Sequence, residues 1–281
     1  MRVHLILVPY RRLPIPSRAV KLGLSDNLLV GPSSPDLSEH CVLRVAHRGA
    51  HEAKYVRHAY SALSRRIADG SSFVVWMDDG WASSLTLALL CAHARPGTSI
   101  SRVRVPVGDE SPKELGAAEI AAGAETWSRF VSSDVSRLLS VSEAGFLPDE
   151  AAFGELLRTL LPRLTPPGLS ELDRWILEAA RATVRACDFL SDAAPGAVRR
   201  WTECAGDGPM ADRLAAWAMH PPLAPALRMV ERARSPVLST YELTESGASL
   251  MGGKGDLSLG VPLSVGGVVA YRGLALRSEV E

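Results

Sequence analysis

Phe73-Val74-Val75-Trp76-Met77-Asp78-Asp79-Gly80-Trp81-Ala82-Ser83-Ser84 is the stretch that decides the fold. Five apolar residues in a row suit a strand buried on both faces. Two carboxylates and a glycine then stop the strand, and an apolar helix opens behind them. In an open α/β sheet, ligands bind just beyond the carboxyl ends of the strands. The acidic tip is therefore where a ligand is expected.

Reading outward from the tip, the same pattern repeats. Upstream, Val56, Ala59, Tyr60, Leu63 and Ile67 recur at helical spacing, which predicts a helix over Glu52 to Asp69 with Gly70 as its left-handed cap. Downstream, a helix is expected from Ser83 to Ala94, then a one-sided or edge strand at Arg102 to Val105, where charged and apolar residues alternate. At the start of the chain, Val3 to Val8 is a near-continuous apolar run. A short helix from Ser17 to Leu24 and a strand from Asn27 to Val30 are expected after it. Strands alternating with helices make an α/β layer with a short, mostly parallel sheet.

Beyond residue 110 the pattern turns helical. Ser111-Pro112-Lys113-Glu114 reads as a capping box before a helix carrying Ile120, Ala124, Trp127 and Val131. Another helix is expected from Asp149 to Leu161, and Thr165-Pro166-Pro167-Gly168 reads as a domain boundary. Ser170 should cap a helix carrying Leu172, Trp175, Ile176 and Ala179. Helices near Met210 to Met219 and Pro225 to Arg234 follow, then a strand over Val237 to Leu243 and a short helix to Met251. The organisation expected is an α/β ligand-binding domain over 1–110, a helical connector over 111–166 and a winged-helix-like α+β module over 167–281.

Four segments in this order resemble the bacterial family called domain of unknown function eighteen-thirty-five. They are Val74 to Asp79, Gly168-Leu169-Ser170 with Trp175-Ile176-Leu177-Glu178-Ala179, Tyr241 to Gly247, and Val265-Gly266-Gly267-Val268. The resemblance implies a shared fold. It implies no reaction, because the family has no agreed one. The chain also departs from the family's pattern where chemistry would sit: Pro9-Tyr10-Arg11-Arg12 replaces a small polar turn, Ala82 and Ser83 replace an acid and an amide, and Leu274-Ala275-Leu276-Arg277 replaces an aromatic-rich end.

Composition narrows the function classes. The chain has 281 residues, 47% apolar and 22% charged, with a formal net charge of zero. These values describe a globular protein with no general attraction to nucleic acid or membrane. No apolar run reaches the length of a membrane span, and Arg11-Arg12 cut short the first one. Cys41, Cys91, Cys187 and Cys204 lack paired spacing and suit reduced thiols, so a cytoplasmic location is expected. Only four of the 31 basic residues are Lys, a bias consistent with a GC-rich bacterial source.

The candidate chemistry lies on one rim. Asp78 and Asp79 are the expected catalytic pair, holding a substrate ammonium or serving as a base; the plainer alternative is a helix cap and a solvated turn residue. Tyr10, Arg11 and Arg12 leave the first strand on the same rim, where an arginine fork suits a carboxylate, sulfate or phosphate. Trp81, Ser83 and Ser84 at the helix start complete the expected substrate-binding set, with the serines alternatively serving only the helix. His47 and His51 are four apart, but Arg48-Gly49-Ala50 between them breaks the zinc-protease pattern, so no metal is expected; His51 or His58 is a general-base candidate that no further residue supports. No nicotinamide, flavin or P-loop signature is present, and no cofactor is expected.

The expected function is a cofactor-independent enzyme of bacterial specialised metabolism, acting on a small amine-bearing anion by elimination, ring closure or group transfer. One alternative is a winged-helix transcriptional regulator that reads DNA through a helix carrying Arg228, Arg232 and Arg234. The 12 basic and 14 acidic residues from Gly168 to Glu281 speak against it. A non-catalytic subunit docking a protein partner is the other alternative.

Overall fold

The computed structural model describes residues 1–7, 13–24, 26, 28–29, 31–47, 50–105, 111–161, 163–164, 167–181, 184–185, 196, 199, 213–214, 217–218, 225–233, 239–254 and 263–270. It divides into two compact units. The first comprises Met1–Ala151 with Gly266–Val268, and the second Ala152–Val265 with Val269–Glu281.

The first unit is built on strands β1 (Arg2–Ile6), β2 (Val20–Gly23), β3 (Gly31–Pro32), β4 (Ser72–Met77), β5 (Ile100–Arg104) and β6 (Lys113–Glu114). Five of them form one sheet in the order β2-β1-β4-β5-β6. The first four in that order are parallel and β6 runs antiparallel at the edge. The chain steps from β1 to β2 on one side, then crosses back to β4 on the other. The order therefore reverses between β1 and β4, which are directly paired with Ile6 opposite Trp76.

Alternation assigns the strand residues to two faces. Val3, Leu5, Phe73 and Val75 are buried on one. On the other, Val74, Trp76, Val103 and Val105 pack with Ile15 from the segment joining β1 to β2. His4 shares that face, and its Nδ1 accepts the Trp76 indole N–H at 3.0 Å. Helices α1 (Leu37–His47) and α2 (Ala50–Ala68) precede β4, and α3 (Trp81–His93) links β4 to β5. Helices α4 (Ala117–Phe130) and α5 (Val135–Leu139) follow β6. The helix expected before β4, the strand and the helix behind the tip are thus all present.

Three local expectations are corrected. Val20–Gly23 is a strand instead of part of a helix from Ser17 to Leu24. Val20 and Leu22 alternate with Lys21 and Gly23, and pairing with β1 supplies hydrogen bonds that a four-residue helix would lack. The expected strand over Asn27 to Val30 is a turn at 28–29, its ends lying outside the described residues. Lys113–Glu114 is a strand, not a helix start. Helix α4 opens later, where Glu119 reaches back to the Gly116 N–H at 3.0 Å.

The second unit holds α6 (Glu150–Leu160) from Ala152 onward, the two-residue strands β7 (Arg163–Leu164) and β8 (Pro167–Gly168), and α7 (Glu171–Ala179). Strands β9 (Val184–Arg185), β10 (Leu227–Glu231) and β11 (Thr240–Leu243) and helix α8 (Glu245–Met251) follow. Strands β9, β10 and β11 make an antiparallel sheet in the order β10-β11-β9. A helix over Pro225 to Arg234 is therefore corrected to strand β10, whose Arg228 pairs with Glu242 on β11. Ser170 caps α7 as expected, accepting the Asp173 N–H at 3.0 Å.

This unit closes on a buried ion pair. Asp173 accepts Arg213 Nε and Nη2, both at 2.7 Å, and the Trp217 indole N–H at 2.8 Å. Ser170 Oγ donates to its Oδ2 at 2.9 Å. Burial pushes the Asp173 carboxyl up, but the Arg213 charge and these donors together hold it below the usual range. Trp217 thus contributes a hydrogen bond as well as core volume.

Candidate functional site

The tip grows directly out of the sheet. Leu7 N–H donates to the Trp76 carbonyl and Val105 N–H to the Met77 carbonyl, both at 2.9 Å, so β4 stays paired to β1 through Trp76 and to β5 through Met77. Asp78 then turns the chain. Its Oδ1 accepts the Gly80 N–H at 3.0 Å, a side chain standing in for a backbone turn bond. Oδ2 has no partner among the described residues. Gly80 is the N-cap of α3, and no side chain caps that helix. A Cβ at Gly80 would press on Asp78 Oδ1 at 2.9 Å, so glycine keeps this carboxylate in place. The first N–H groups of α3 keep the partial positive charge of an uncapped helix start.

Asp79 turns away from Asp78 toward the neighbouring strand. Its Oδ1 lies 3.1 Å from Arg104 Nε at the end of β5, with both side chains more than half exposed. Neither carboxylate is the helix N-cap itself. The rim therefore presents one carboxylate held by a turn and one held by an arginine.

Trp81, Ser83 and Ser84 are buried. The Trp81 indole N–H donates to the Pro148 carbonyl at 2.7 Å, which anchors the start of α3. Tyr10, Arg11 and Arg12 lie outside the described residues. His47 ends α1 while His51 lies in α2, so a shared helical face no longer joins them. His58 is exposed on α2. Among the described residues, no three His, Cys, Asp or Glu side chains gather as a metal ion would require.

The densest polar cluster lies elsewhere, beneath α1 and α2. Asp26 accepts Arg44 Nε at 2.7 Å and Nη2 at 2.6 Å, a bidentate pair with almost no exposure. Tyr60 Oη donates to Asp26 Oδ2 at 2.8 Å and lies 3.1 Å from His40 Nε2. Ser34 N–H donates to His40 Nδ1 at 3.4 Å. The ring proton therefore belongs on Nε2, and the bonds run from His40 through Tyr60 to Asp26. Burial, helped by the Arg44 charge, lowers His40 to about 3 and keeps it neutral. Burial and the Asp26 charge push the Tyr60 hydroxyl well above its ordinary value. His40, Arg44 and Tyr60 have no exposed surface. The cluster orders the two helices and is sealed from any solute.

Asp26 and Arg44 had no place among the residues singled out from the sequence. Their signal is the spacing of Arg44 four residues after His40, which puts both on one helical face. A charge there must find a partner when the face is buried. The partner itself, Asp26, sits in a loop with no pattern to mark it.

The chain matches no family model, no curated protein and no solved structure.

Proposed function

We propose that the rim at the carboxyl ends of β1 and β4 binds a small amine-bearing anion, and that the chain acts on it without a cofactor, by elimination, ring closure or group transfer. The observation that carries this reading is the parallel pairing of β1 with β4 at the point where the strand order reverses. At such a point the connections on either side leave in opposite directions, and a ligand meets both strand ends. The ammonium group belongs on Asp78 Oδ2. Its anion belongs on Tyr10, Arg11 and Arg12, a few residues beyond the end of β1, with the uncapped N–H groups of α3 adding positive potential. Asp79, tied to Arg104, orients the rim. A site that fixes both ends of a substrate removes orientational freedom, which lowers the barrier to reaction.

A step of bacterial specialised metabolism in the cytoplasm is the setting proposed for this chemistry. The test uses O-phospho-L-serine, a small amine-bearing anion, and calorimetric titration. Asp78→Asn should weaken its binding at least tenfold, about 1.4 kcal/mol, with the circular dichroism spectrum unchanged. Equal affinity for the wild-type protein and the variant would remove Asp78 from the site.

The second unit reads as winged-helix-like. The support is its order: helix α7, strand β9, helical residues at 213–214 and 217–218, then the β10–β11 pair, with β11 between the other two strands. DNA recognition is the weaker use of such a module here. Arg228, expected on a reading helix, lies on a strand and is paired with Glu242. Kinship with domain of unknown function eighteen-thirty-five is likewise proposed, on the order of its four segments.

A further inference from the structure

Three residues from the far end of the sequence belong to the first unit. Gly266–Val268 cluster with Met1–Ala151, more than a hundred residues after that stretch ends. Their seat is built for glycine. Gly266 has φ +57°, and a Cβ there would collide with the Phe130 carbonyl. A Cβ at Gly267 would collide with the Val131 carbonyl. The backbone approaches this closely because it bonds on both sides: Ser33 N–H donates to the Gly266 carbonyl at 2.7 Å, and Gly267 N–H to the Phe130 carbonyl at 3.1 Å. Phe130 ends α4, so that carbonyl has no partner within its own helix, and Gly267 supplies one.

Both anchors adjoin the sealed polar cluster. Ser33 precedes Ser34, whose N–H holds His40 Nδ1. Phe130 packs its ring 6.0 Å from that of Trp127, and Trp127 stands edge-on to His40 at 5.3 Å. Ser33 and Phe130 therefore bracket His40 from the β3–α1 junction and from the end of α4. We propose that Gly266–Val268 is a strap that closes the first unit: while it is seated, His40, Tyr60, Asp26 and Arg44 are sealed, and when it lifts they open as one group. The far end of the chain is then a control point for the α/β unit. This inference is independent of what the rim binds.

Hydrogen exchange on the unmodified full chain tests it, measured amide by amide in increasing urea. A strap that opens together with the cluster gives Gly267, Ser34 and Tyr60 the same opening free energy and the same urea dependence. In the variant Gly267→Ala, the Ser34 and Tyr60 amides should exchange at least tenfold faster while Ile176 and Leu177 in α7 keep their rates. The proposal is overturned if Gly267 opens at much lower urea than Ser34 and Tyr60. It is equally overturned if the variant folds and leaves those two amides unchanged. Should the variant not fold, the unmodified chain decides the question alone.

Discussion

Two arginine–aspartate pairs of the first unit, Arg44–Asp26 and Arg104–Asp79, differ mainly in their surroundings. Arg44–Asp26 is bidentate and buried, with Tyr60 donating to the same carboxylate. Arg104–Asp79 approaches to 3.1 Å and stands in solvent at the end of the sheet. The buried pair holds α1 and α2 against the rest of the unit but can meet no ligand. The exposed pair adds little to stability and is free to meet one. The buried pair thus serves stability, while the exposed pair stands beside the proposed ligand site, and each can be perturbed without the other.

The sharpest way to break the comparison is to remove one partner from each pair. Asp26→Asn leaves Arg44 buried without its counter-charge and should cost about 3–5 kcal/mol, read by urea unfolding. Arg104→Gln should cost no more than about 1 kcal/mol. Equal costs would mean that burial is not what separates the two pairs.

Acid extends the comparison to the second unit. An unfolded His40 takes up a proton near its ordinary value of 6.5, whereas the folded one resists until about pH 3. Its contribution is complete above pH 6.5 and is lost as pH falls from there toward 3, at about 1.4 kcal/mol per pH unit. His4 and His93, both lowered by burial, act in the same direction. Asp173 works lower on the scale: its folded value lies below the ordinary 3.8, so its contribution persists down to that pH and fades only beneath it. Protection factors of α2 amides, corrected for the intrinsic pH dependence of exchange, should therefore fall between pH 6.5 and 4 while those of α7 hold. Parallel loss in both units would contradict this assignment.

A milder probe acts within the cluster. Tyr60→Phe removes the hydroxyl that links His40 to Asp26 and should cost about 1–3 kcal/mol, less than losing the aspartate. At the rim, Arg104→Gln frees Asp79, and its effect on O-phospho-L-serine affinity should be smaller than that of Asp78→Asn, because Arg104 acts through its neighbour.

Most of the sheet was legible in the sequence because its central strands are near-continuous apolar runs and α2 carries a clean helical stripe. What escaped was decided by partners distant in sequence. Val20–Gly23 becomes a strand only because β1 lies beside it, and Leu227–Glu231 only because β11 does. The site was legible in part. Asp78 stands at the tip of β4, as the run into it indicates. The Asp79–Arg104 contact joins the turn after β4 to the end of β5 and could not be read from spacing. Asp26 and Arg44 are 18 positions apart, and nothing local reveals that a loop carboxylate and a helical arginine meet. Gly266 and Gly267 stand out in the sequence only as part of a resemblance, and the reason for both glycines is the backbone of Phe130 and Val131.

Backbone amide shifts, recorded on the full chain during titration with O-phospho-L-serine, test the rim reading most directly. The largest changes should fall at Leu7, at Asp78 to Ala82 and at Val105, the residues where β1, β4 and β5 end together. Binding whose changes centre on the second unit, or a titration that leaves all of those amides unmoved, would contradict it.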